Sequence, residues 1–193
     1  SVTVVNGEDY APASDIFLGN YYGSPAGNAG YGTFDMSGGT ASLSGLHIGG
    51  GAKGVGVLTL SGGTLTITSA VHTSYDGDSS AHIEMTGGTM IAKVGFYLGG
   101  RSTGTSTMNL LGGTLQSDYS LQIGTGSSVT HMTISGKAAV DVGGIWLGAY
   151  STLTFLLDGG DGDFNRAIID TTTGIGDGSY WASNGAQDYL ALR

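Results

Sequence analysis

A Gly-Gly-Thr turn returns about every 25 residues along this chain, in SGGTASLS at 37–44, SGGTLTIT at 61–68, TGGTMIAK at 86–93 and LGGTLQSD at 111–118. A period of that length, with a fixed turn and drifting flanks, marks one small unit stacked on copies of itself. Cut at these turns, the middle of the chain divides into coils 37–60, 61–85, 86–110, 111–134 and 135–157, which are 24, 25, 25, 24 and 23 residues long. Each coil holds three short alternating segments, such as TMIAK, GFYLG and STMNL in 86–110. Alternation over four or five residues between glycines and small polar residues predicts strands, and no segment carries a helical period.

Stacking the coils lines up apolar columns. The second segments contribute Leu46, Val71, Phe96, Leu121 and Ile145, with Ile48, Thr73, Leu98, Ile123 and Leu147 beside them. The third segments contribute Leu58, Ile83, Met108, Met132 and Phe155, then Leu60, Met85, Leu110, Ile134 and Leu157. The first segments contribute Ala41, Leu65, Met90, Leu115 and Ala139. The expected fold is therefore all-β, a single right-handed parallel β-helix, or β-solenoid, of about seven coils with three short strands per coil. Its hand follows the general crossover preference and no particular residue. Strands of neighbouring coils pair about 4.8 Å apart, so seven coils make a rod on the order of 34 Å long. The Gly-Gly turns the corner, and Thr40, Thr64, Thr89 and Thr114 follow it as a hydroxyl ladder.

Both ends are longer than the middle coils. Segment 1–36 fits SVTVV, DIFLG and GTFDM as the three strands of an initial coil, with NYYGSPAGNAGY inserted. Segment 158–193 fits RAIID and YLAL as later strands of a final coil, separated by TTTGIGDGSYWASNGAQ. The organisation expected is an N-terminal coil 1–36, five regular coils 37–157 and a C-terminal coil 158–193, each end serving as a cap or an interface.

Composition narrows the function classes. Glycine supplies 38 of 193 residues, without the three-residue period of collagen, and a 39% hydrophobic share is enough for a core. Six basic residues against fifteen acidic ones, a net charge of −9, leave no basic stripe for nucleic acid or anionic lipid. No run of 18 apolar residues spans a membrane, and the absence of cysteine removes disulfides and thiolate chemistry. No signal segment is visible at Ser1, so a secreted protein would be in its processed form.

The GGT-centred coils of 37–157 resemble the right-handed parallel β-helix repeats of bacterial autotransporter passengers and related secreted surface proteins. The resemblance implies an extracellular or cell-surface location on a bacterium. Such coils are also similar to those of pectate-lyase-type enzymes. Unlike a full autotransporter, the chain is expected to carry no membrane barrel after the solenoid.

Three groups of residues are candidate sites. Phe17, His47, His72, Tyr97, Gln122 and Trp146 recur at the outward position of the second segment. They form either a platform for sugar rings, a lateral contact with another subunit, or a ladder that only stacks on itself. Val2, Val4, Tyr21, Tyr22, Tyr31, Tyr180, Trp181, Tyr189, Leu190 and Leu192 mark the two ends as an assembly interface. Asp158, Asp161 and Asp163 in DGGDGDFN form the one carboxylate-dense stretch that calcium would suit; the alternative is a polar turn. No other cofactor is expected. His47 and His72 lie one coil apart without a third ligand, and His82 and His131 lie two coils apart, too far to share an ion. For polysaccharide cleavage the candidates would be Asp118, Asp141, Lys93 and Arg101, with alternation turning the two aspartates to opposite faces. The expectation is no enzyme, but an extracellular structural protein that polymerises through its solenoid ends into a filament or surface layer. An adhesin-like glycan-binding module is the alternative, and a polysaccharide lyase or hydrolase comes third.

Overall fold

The computed structural model describes residues 1–5, 7–12, 14–19, 30–100, 103–135, 137–156, 166–170 and 178–180, the last two segments by backbone alone. Every described element is a strand; there is no helix, hence none long and apolar enough to cross a membrane, among these residues. The strands stack on three faces.

The third face runs through β1 (Val2–Val4), the start of β4 (Tyr31–Leu43) and of β6 (Val55–Ile67), then β8 (Ser80–Met85), β11 (Thr105–Leu110), β13 (Val129–Ser135) and β15 (Ser151–Leu156). The first face stacks β2 (Asp9–Tyr10), the ends of β4 and β6, β9 (Thr89–Ala92), and the starts of β12 (Gly113–Ile123) and β14 (Ala138–Leu147). The second face stacks β3 (Ile16–Leu18), β5 (Leu46–Ile48), β7 (Ala70–Thr73), β10 (Gly95–Leu98) and the ends of β12 and β14. All these pairings are parallel, so the chain is a β-solenoid. Strands run on through some corners, so β4 and β6 each carry two of a coil's segments across the Gly-Gly turn.

Each glycine of that turn has its own reason. Gly63 sits at φ +81°, a backbone region that side chains resist, and Gly39, Gly88 and Gly113 share it at +70°, +75° and +80°. The preceding Gly62 has an ordinary φ, but a Cβ there would lie 2.5 Å from the carbonyl oxygen of Ser37 in the coil below. One glycine turns the corner and the other lets two coils approach.

The inward columns make one continuous core, with Phe34, Leu58, Ile83, Phe96, Met108 and Leu121 fully buried. Between the second and third faces the core turns polar. The buried Thr73 and Ser106 hydroxyls lie 2.7 Å apart, the Gly99 amide donates to Thr73 Oγ1 at 2.8 Å, and Ser74 Oγ donates to the Thr105 carbonyl at 2.6 Å. One coil further up, Ser128 and Thr130 occupy this corner, followed by Ser151, whose Oγ donates to the Ile123 carbonyl at 3.2 Å.

The architecture departs from the sequence expectation at both ends and in the last coil. The solenoid makes about five turns, not seven. SVTVV is not the first strand of the initial coil: β1 lies on the third face under GTFDM, Val2 against Phe34 and Val4 against Met36. The first-face place is taken by the two-residue β2. In the last coil Leu153, not Phe155, continues the Met132 column, and Phe155 follows Ile134, the place assigned to Leu157. Likewise Val140, not Ala139, follows Leu115. The two slips run in opposite directions: Val140 comes one residue later than the period places it after Leu115, whereas Leu153 comes two residues earlier than the period allows after Met132, where the corner between the second and third segments is shorter.

The largest departure is a reversal of direction. β16 (Arg166–Asp170) pairs antiparallel with β15, and β17 (Gly178–Tyr180) antiparallel with the end of β14. RAIID thus forms a strand as expected, but not one of a further parallel coil. YLAL lies outside the described residues.

Candidate functional site

Each second-face segment alternates a buried, an outward and a buried residue: Leu46-His47-Ile48, Val71-His72-Thr73, Phe96-Tyr97-Leu98. Burial of the flanking residues fixes the register, and the register aligns Phe17, His47, His72, Tyr97, Gln122 and Trp146 in one column as the sequence predicts. Four rings of it stack face to face. Centroid separations are 4.5 Å for Phe17–His47, 5.4 Å for His47–His72 and 4.9 Å for His72–Tyr97, with interplanar angles of 8°, 14° and 9°. Tyr75, from the corner loop after β7, meets His47 and His72 edge-on at 6.4 and 5.4 Å. The rings are half-buried, and only Trp146 is strongly exposed, at 48%.

Asp15 stands beside this stack, with its Oδ2 3.7 Å from His47 Nε2. Burial pushes the His47 imidazole below its ordinary pKa, and the Asp15 carboxylate opposes that shift without cancelling it. The arrangement has a chemical consequence. A sugar ring binds an aromatic by covering its face, and the stack already covers both faces of His47 and His72. Of this column Trp146 is the ring most open to a ligand.

The residues considered for catalysis do not converge on one centre. Lys93 Nζ lies 3.6 Å from Asp118 Oδ2, a solvent-exposed ion pair on adjacent coils. Asp141 is elsewhere on the first face, accepting from Gln116 Nε2 at 3.5 Å. Arg101 lies outside the described residues. His82 and His131 do share a column, separated by Thr107, and His82 Nε2 is 3.6 Å from Glu84 Oε2 of its own strand. No group of three or more metal-ligating side chains occurs among the described residues. The calcium candidates Asp158, Asp161 and Asp163 lie outside them.

Of the end residues, Val4 is buried, Val2 is half-buried, and Tyr31 is 71% exposed. The backbone of Tyr180 lies opposite Ile145 in β17. Tyr21, Tyr22, Trp181, Tyr189, Leu190 and Leu192 are outside the described residues. Sequence reasoning missed Asp15 and Tyr75, which sit in corner loops where no alternation exists to place them. It also missed the hydroxyl corner, although Gly56, Ala81, Ser106, Thr130 and Ser151 form a legible column of small residues at the start of the third segment.

No family model, curated protein or solved structure matches this chain.

Proposed function

We propose that this chain is a non-catalytic, extracellular structural solenoid of a bacterial surface, which self-assembles end to end into a filament or surface layer. One observation carries the reading. Among the described residues, the partly covered core residues sit at the two ends of the parallel stack, Val2, Tyr10 and Ile16 on its first strands and Ala138, Val140, Val142, Ile145 and Phe155 on β14 and β15. Incompletely covered apolar surface is stabilised by a second apolar surface, at about 25 cal/mol per Å² removed from water. The outer edges of β1, β2 and β3 also have no strand partner among the described residues, and open strand edges invite strand addition. An acidic, cysteine-free chain rich in glycine and the resemblance of its coils to secreted passengers support the location.

Negative-stain electron microscopy across protein concentration, with and without calcium, tests this. Filaments with an axial repeat near the rod length are expected; uniform short particles at every concentration would overturn it. Deletion of residues 1–5 should leave folded monomers and abolish filaments.

A further inference from the structure

Two of the chain's four histidines, His47 and His72, lie one coil apart on the second face, ring on ring. Their centroids are 5.4 Å apart and their planes 14° from parallel. The stack holds them there from both sides, with Phe17 4.5 Å from His47 and Tyr97 4.9 Å from His72. Tyr75 meets both imidazoles edge-on. The two rings cannot move apart to relieve a charge without breaking the stack.

The titratable groups that face the pair from the elements packed on it are, among the described residues, Asp15 ahead of β3, Tyr75 after β7 and Tyr97 on β10. Asp15 is the one carboxylate of that set, with its Oδ2 3.7 Å from His47 Nε2. One carboxylate balances one imidazolium. A second imidazolium stacked on the first is repelled across the coil boundary. At an effective dielectric of about 20–40 that repulsion separates the two protonation steps by about one to two pH units.

The repulsion falls on a weak joint. β3 and β5 are three residues each, and β5 meets β7 at three register positions. On the other two faces at the same level, β4 and β6 run 13 residues each and are joined at eleven positions. Repulsion between β5 and β7 therefore opens the second face at its N-terminal end while the other two faces hold.

We infer that His47 and His72 form a two-imidazole proton latch: with one proton or none the second face is closed, and a second proton releases β3 and β5 from β7. Burial, which already disfavours the charged form of His47, works in the same direction. In the unfolded chain both rings take up protons near pH 6.5, so the folded face loses stability as pH falls below about that value. The strands released belong to the N-terminal edge. Acid therefore loosens one of the ends used by the end-to-end reading above; that consequence rests on the reading, whereas the latch does not.

Ring-proton NMR from about pH 8 to pH 4.5 tests the latch, with His82 and His131 on the third face as references in each spectrum. His47→Phe and His72→Phe each keep a flat ring in the stack and remove one charge. The histidine of the pair that titrates second in the unmodified protein should move up by about one to two pH units when the other is replaced. Curves for both rings that superimpose on those of the unmodified protein would overturn the inference. Amide exchange needs no variant. Between pH 7 and pH 5, protection in β3 and β5, corrected for the intrinsic rate, should fall about tenfold relative to β8 and β11. Unchanged relative protection would overturn the inference as well. Filaments that shorten in acid with the unmodified protein, and persist with His72→Phe, would carry the latch into assembly. Protein that forms no filaments at any pH would remove the end-to-end reading, and the titration and exchange would still decide the latch.

Discussion

At Gly63 the backbone adopts φ +81°, and a Cβ would also lie 2.6 Å from the Gly38 carbonyl carbon one coil below. Gly7 has φ +86° with nothing within 4 Å of the same position, while Gly87 has ordinary φ and a Cβ position 2.5 Å from the Ser61 carbonyl oxygen. Alanine at these three glycines therefore separates two effects. Gly7→Ala should cost about 1 kcal/mol from backbone strain alone. Gly63→Ala should cost more, about 2–4 kcal/mol, because strain and collision add, and Gly87→Ala should report the collision alone. Chemical denaturation of the three variants checks the order. The same scale holds the titrating group. His47 is protonated less readily in the folded chain than in the unfolded one, so the unfolded state binds more protons as pH falls. The stability that neutral His47 contributes is complete above about pH 6.5, its unfolded pKa, and is lost as pH falls below it toward the lowered folded value. Denaturation midpoints measured from pH 8 to pH 5 should fall, and His47→Phe should flatten that slope. Asp15→Asn should steepen it, because the one group named here that opposes the shift is gone.

For the single strand, position along the rod sets the value of a side chain. Phe96 on β10 is enclosed on both sides by coils, whereas Ile145 on β14 occupies the same column and is only partly covered. Phe96→Ala should cost about 3–5 kcal/mol. Ile145→Ala should cost clearly less, since part of its surface is already in water; a larger loss at Ile145 would mean that the terminal rung is closed over. Elements of this kind were legible in the sequence wherever a buried residue stood on each side of an outward one. That pattern gave the register of the Phe17–Trp146 column without error through six rungs. It failed at Phe155, where a shortened corner shifted the phase, at Ala139, where one extra residue shifted it the other way, and at SVTVV, because alternation says that a segment is a strand and not which face it lies on. It said nothing of Asp15 or Tyr75, whose contacts with His47 are made from loops. The antiparallel sense of RAIID was equally out of reach, since alternation is the same in both directions.

The whole molecule behaves as a one-dimensional stack in which each rung contacts only its neighbours. Opening should therefore begin at the ends and move inward. Amide hydrogen exchange should be slowest in β6, β8, β10 and β11 and fastest in β1, β2 and β3; uniform protection along the rod would contradict this. A parallel stack has no internal reason to stop, because every coil leaves the edge that the next one needs. Among the described residues the parallel stack ends at β14 and β15, where β17 and β16 run the other way. Below that reversal the length of the rod is counted in whole coils. Removing residues 61–85 or duplicating them should therefore yield a folded rod changed in length by one step of about 4.8 Å, with both ends unaltered.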